Sequence, residues 1–156
     1  MIYVLDSCSF VVCGHYFPSR FPTFWAEFNA LVQSGAIISV REVRNELDHD
    51  ANRQHLRDWV DRNKGIFLVP SPQETQFVSQ IFLVQHFQQL IGAKQRLAGR
   101  PVADPFVIAC ARVRDACVVT EESLKPNAAR IPNVCNHFGI DCISIEEMMA
   151  RENWSF

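Results

Sequence analysis

Short apolar runs alternate along this chain with stretches in which apolar residues return every three or four positions, and that alternation predicts an α/β domain with a parallel sheet. Ile2-Tyr3-Val4-Leu5 reads as a buried strand ending at Asp6. A turn-like stretch follows, then a helix from Thr23 to Ser34 that stops at Gly35. Ala36-Ile37-Ile38 predicts a second strand. Ser39 and Glu42 have the spacing of a capping box, opening a helix that carries Val43, Glu46 and Leu47. A further helix runs from about Arg53 to Asn63. Ile66-Phe67-Leu68-Val69 predicts a third strand, ended by Pro70-Ser71-Pro72, and a long amphipathic pattern covers Gln73 to Ile91. Asp104-Pro105 signals a helix start and Phe106 to Arg114 continue it. Cys117-Val118-Val119 is a fourth strand running into Thr120-Glu121-Glu122. A helix from near Pro132 to Gly139 follows, then a fifth strand at Asp141-Cys142-Ile143 and a last short helix after Ser144, whose spacing to Glu147 fits a capping box.

Composition narrows this picture. A chain of 156 residues is one ordinary domain, spanning 1–156, and 48% hydrophobic residues with twelve phenylalanines predict an aromatic core rather than disorder. A formal net charge of −2 excludes a protein that coats nucleic acid through a broad basic surface. The six cysteines form no CxxC pair, so neither a zinc ribbon nor a dithiol redox site is signalled. No secretory leader is visible and no apolar run approaches the roughly 20 residues a membrane span needs, so the expectation is a cytoplasmic protein with free thiols.

The candidate chemistry lies at strand ends. In an open parallel sheet ligands bind beyond the carboxyl ends of the strands, where the strand order reverses. Asp6 ends the first strand and Glu121 and Glu122 follow the fourth. If those strands are neighbours the acids converge, and Asp104, at a helix start, can face the same crevice. Carboxylates packed together repel and raise one another's proton affinity, so a divalent cation is the natural occupant. Oxygen donors suit magnesium or manganese.

These residues carry a resemblance. The sequence resembles PIN-domain nucleases, and more narrowly the VapC-like toxin ribonucleases of bacterial toxin–antitoxin pairs. Tyr3-Val4-Leu5-Asp6-Ser7 is similar to the family's first-strand motif, and Val43-Arg44-Asn45-Glu46-Leu47 to the helix that carries its glutamate. Ala103-Asp104-Pro105-Phe106-Val107-Ile108-Ala109-Cys110-Ala111 is similar to the third motif. Val118-Val119-Thr120-Glu121-Glu122 resembles the fourth, with Thr120 at the hydroxyl position and Glu122 nearest the place of an Asp or Asn. The resemblance implies a three-layer α/β/α sandwich with a central parallel sheet of four to five strands. It also implies a divalent-metal-dependent endoribonuclease that hydrolyses RNA by a metal-activated water, neutralised by a cognate antitoxin and able to form a homodimer. Asp6, Glu46, Asp104 and Glu122 would be the metal carboxylates, with Thr120 and Glu121 as further catalytic candidates.

Each assignment has a plainer alternative. Asp104 could be a helix N-cap worth about 1 kcal/mol. Glu42 competes with Glu46 but is accounted for as the capping partner of Ser39, and Glu121 competes evenly with Glu122. Lys94, Arg96, Arg100, Lys125 and Arg130 flank the motifs and could meet phosphates, or simply be solvated. Phe10, Tyr16, Phe17, Phe21, Phe24 and Trp25 suit a core, a dimer face or an antitoxin groove. Two rival functions remain open on sequence: a PIN-like binding module whose cluster does not cut, and phosphotransfer through an aspartyl-phosphate on Asp6. The second lacks the acid two positions on that haloacid-dehalogenase phosphatases use.

Overall fold

In the computed structural model of the chain, which describes residues 1–92 and 102–156, five short strands pair into one sheet in the order β3-β2-β1-β4-β5, every pairing parallel. The strands are β1 (Tyr3–Leu5), β2 (Ile37–Val40), β3 (Phe67–Leu68), β4 (Cys117–Val119) and β5 (Cys142–Ile143). All three residues of β1 and of β4 are buried, as expected where helices cover both faces of a parallel sheet. The helices are α1 (Ser7–Cys13), α2 (Pro22–Gln33), α3 (Arg41–Asp50), α4 (Gln54–Arg62), α5 (Pro72–Leu83), α6 (Asp104–Arg114), α7 (Ile131–Phe138) and α8 (Ile145–Arg151).

The chain steps from β1 to β2 to β3 in one direction, then returns across the sheet to lay β4 on the other side of β1. Right-handed crossovers therefore send the helices before and after that return to opposite faces. Their packing agrees: α1 contacts α3 and α3 contacts α4, whereas α6 packs against α5 and α7. The strand order reverses between β1 and β4, the place where an α/β sheet opens a crevice.

Four expectations are corrected. The stretch after Asp6 is helix rather than turn. Its sequence, SCSFVVC, is poor in helix formers, but Asp6 caps it by accepting from the Ser7 N–H at 2.7 Å, and Phe10 and Cys13 are driven into the core. Ser39 does not cap α3. It belongs to β2, and its buried hydroxyl donates to the Leu5 carbonyl at 2.6 Å, while α3 starts at Arg41 without a side-chain cap. Asp104 is not an N-cap either, since it is the first helical residue and Ala103 occupies the cap position. The amphipathic pattern to Ile91 also breaks at Val84, whose extended backbone ends α5 before a 3-10 segment, Gln85–Leu90.

The core is aromatic as expected. Phe10, Phe24, Phe28, Trp25 and Trp59 are buried and in mutual ring contact, Tyr16 is half-buried, and Phe17 and Phe21 remain exposed. The six cysteines are free thiols. The Ser144–Glu147 capping box forms as predicted, with Glu147 N–H on the Ser144 hydroxyl and Ser144 N–H on the Glu147 carboxylate.

Candidate functional site

Register builds the site. Leu5 pairs with Val119, so one step further along both strands sets Asp6 beside Thr120. Both side chains are buried, and the Thr120 hydroxyl donates to Asp6 Oδ2 at 3.1 Å. The Cys8 thiol donates to the same oxygen at 3.0 Å, and Oδ1 caps α1. An isolated buried carboxylate would be costly, and here neutral donors satisfy it without cancelling its charge.

Helix α3 brings Glu46 to the same place. Its Oε2 accepts the Ser7 hydroxyl at 2.7 Å, and that hydroxyl lies 3.4 Å from Asp6 Oδ1, so one serine bridges the first two acids. Glu46 Oε1 accepts the Ala103 N–H at 3.1 Å, which ties α3 to the residue before Asp104. Burial holds the Asp104 carboxyl well above the usual carboxylate range, and the charges of Asp6, Glu122 and Glu46 push it the same way. Asp104 therefore lies within electrostatic range of three carboxylates carried by other segments.

The two adjacent glutamates part company. Glu122 turns toward the cluster: burial and the Asp6 charge raise its proton affinity, while the Ile131 N–H, 3.0 Å from Oε2, and the nearby Arg130 guanidinium pull it down. Glu121 turns away, its Oε1 accepting from Ile145 N–H at 2.8 Å at the start of α8. Glu42 is buried beside Arg41 at 2.9 Å, with a carboxylate oxygen that has no hydrogen-bond partner. Lys125 and Arg130 are exposed on the loop after β4, whereas Lys94, Arg96 and Arg100 lie outside the described residues.

Sequence reasoning missed Ser7 and Cys8. Cys8 Sγ donates to Asp6, lies 3.3 Å from Thr120 Oγ1 and accepts the Glu121 N–H at 3.3 Å, so it knits the first motif to the fourth. Burial and the Asp6 charge push this thiol up to about 12, which keeps its proton available for donation. The signal was present in the spacing. Residues one and two places after a strand-end aspartate that opens a helix lie over the same turn as that aspartate.

A strand-end aspartate flanked by three further acids at the reversal point of a 3-2-1-4-5 sheet is an arrangement to set beside known proteins. The chain belongs to the DUF4411 family. That family's model, described as a domain of unknown function, matches residues 3–156. No curated protein sequence matches this DUF4411 chain. Among solved structures, the crystal structure of VapBC2 from Rickettsia felis bound to a DNA fragment from their promoter is similar with a TM-score of 0.50. The match covers 92% of this chain and 98% of the other, at 13% sequence identity. The likeness is one of fold, and the fold of the DUF4411 chain is PIN-like.

The donor chemistry fits a hard divalent cation, because the converging ligands are carboxylate oxygens and the raised proton affinity of Asp104 marks negative charge that a cation would offset. Among the described residues no three His, Cys, Asp or Glu side chains close on one point as a ready cage. Magnesium does not need one, since it commonly keeps several waters and takes one or two protein carboxylates. Among the described residues, no helix is long and apolar enough to cross a membrane.

Proposed function

We propose that this chain is a divalent-metal-dependent endoribonuclease of the PIN type, the cytoplasmic toxin of a toxin–antitoxin pair, cutting RNA phosphodiesters by hydrolysis. The observation that carries the reading is the grouping of Asp6, Glu46, Asp104 and Glu122, drawn from four segments, at the β1/β4 edge. Asp6 and Asp104 would hold magnesium or manganese directly, and Glu46 and Glu122 through waters. The ion would supply Lewis-acid stabilisation of charge on the phosphate and a lowered pKa for an attacking water. The chain's own part is positional. Thr120 and Cys8 fix the Asp6 carboxylate, Ser7 and Ala103 fix Glu46, and the exposed Arg130 beside Glu122 offers a positive charge to an incoming phosphate. Glu121, occupied at α8, is left without a catalytic part.

The antitoxin partner and a homodimer belong to the same proposal, supported by the likeness of fold to a VapBC2 chain. The competing reading, a PIN-like module that no longer cuts, draws on the open spacing of the acids. Incubating purified protein with a pool of structured RNAs, in magnesium, manganese or chelator and beside Asp6→Asn, decides between them. Cleavage that needs the ion and disappears in Asp6→Asn is the expected result. Undiminished cutting by Asp6→Asn would overturn the proposed site, and no cutting with no metal binding would leave the binding module.

A further inference from the structure

Beside the acid cluster, beyond the ends of β4 and β5, lies a cleft of about 470 Å³ that begins at Thr120 and Glu122 and runs toward the starts of α7 and α8. Its size falls in the range of sites that enclose a small organic group. Leu124, 56% exposed, lines it with Ile140 and Ile143 as further apolar wall, and Asn136, Glu121, Glu122, Asp141 and Glu147 are among its polar residues. Among the described residues no lysine or arginine lines it, and its acidic edge does not suit a phosphate. The positive charge sits instead at Arg130, next to Glu122 and the acid cluster. Apolar walls, acceptor-rich edges and direct continuity with a phosphodiester-cutting site are what an unstacked base of single-stranded RNA requires.

We propose that this cleft is a nucleobase subsite, and that it selects bases bearing an exocyclic amino group, such as cytosine or adenine and in principle guanine, over uracil. The proposal rests on the nuclease reading for its substrate class. Glu121 and Glu147 each spend one oxygen on a helix start, Ile145 N–H and Ser144 N–H at 2.8 Å each, and each carboxylate has a second oxygen with which to accept. A carboxylate accepts from the cytosine amino group, and an asparagine amide such as that of Asn136 can pair with the amino and ring nitrogen of adenine. Uracil offers no amino group to either. Base in the cleft and phosphate at Arg130 place the scissile link over the four acids.

The test is equilibrium binding of fluorescently labelled single-stranded oligocytidine, oligoadenosine and oligouridine hexamers to the Asp6→Asn protein in magnesium, with Glu46→Gln as a second uncut background. Cytidine or adenosine oligomers should bind about tenfold more tightly than uridine oligomers, the discrimination one well-placed polar pair provides. Glu147→Gln, which keeps the capping box, should shrink that ratio, and Leu124→Asp should weaken all three by about tenfold. Equal affinity for the three, no binding of any, or no effect of both substitutions overturns the subsite. Wild-type cleavage without base preference would sink the subsite and leave the nuclease. Selective binding by a protein that never cuts would sink the nuclease and leave the subsite.

Discussion

The two edges of the sheet treat carboxylates in opposite ways. At the amino edge Asp141 takes a forked ion pair from Arg151, at 2.5 and 3.2 Å, and Glu152 accepts the Tyr3 hydroxyl at 2.6 Å. The Arg151 contact holds the Asp141 carboxyl below its usual range. At the carboxyl edge Asp6 is fixed by hydroxyl, thiol and amide donors that bring no charge, and Asp104 is driven upward. One edge spends its acids on stability. The other crowds them so that Asp104 holds its proton more tightly, a strain a folded protein tolerates where the acids have a use.

Three substitutions bear on that contrast. The largest effect belongs to Asp104→Asn, which should cut metal-dependent RNA cleavage by at least about a hundredfold in initial-rate assays. In chelator the same change should alter the pH dependence of stability. The folded-state proton affinity of Asp104 is raised, so its contribution favours the fold below its unfolded pKa and is lost as pH rises through the folded value. Denaturant melts from about pH 4 to 8 should therefore show the wild-type losing stability relative to Asp104→Asn as pH rises. Asp141 works with the other sign, its stabilisation present above the unfolded pKa and lost as pH falls through the lowered one. A wild-type curve parallel to that of Asp104→Asn would contradict the picture of a crowded edge.

Thr120→Val comes next. It removes a buried donor to Asp6 and the acceptor of the Glu122 N–H at 3.2 Å, and should cost about 1–3 kcal/mol in urea melts as well as lowering cleavage. Retention of full activity would show that the Cys8 thiol suffices to hold Asp6. Arg151→Ala should do least. Both partners of its pair are more than a third exposed, so the loss should stay under about 1 kcal/mol, fade further in high salt, and leave cleavage unchanged. A fall in cleavage rate with Arg151→Ala would mean that the two edges communicate.

Much of the fold was legible because it is written in local patterns: apolar runs at the five strands, the Gly35 and Gly139 helix stops, and the Ser144–Glu147 box. Asp6 stood out for the same reason, a charge at the end of an otherwise apolar strand. The misreadings fall where tertiary contacts override local preference. Helix α1 exists because Asp6 caps it and the core takes Phe10, neither of which helix propensity records. Ser39 has capping spacing, yet the Leu5 carbonyl of the neighbouring strand claims its hydroxyl. Glu121 and Glu122 could not be separated in one dimension, because what turns them apart is a pair of helix starts brought in from residues 131 and 145. The cleft beyond β5 was invisible for the same reason, its walls being assembled from four separate segments.

Identical neighbours in a sequence ordinarily insure one another, since the loss of one can be covered by the next. The glutamates after Thr120 have no such redundancy, for each anchors a different helix start. Selection acting on this loop would meet two independent constraints on two letters that look interchangeable, and a one-residue slip would hand both helices the wrong partner.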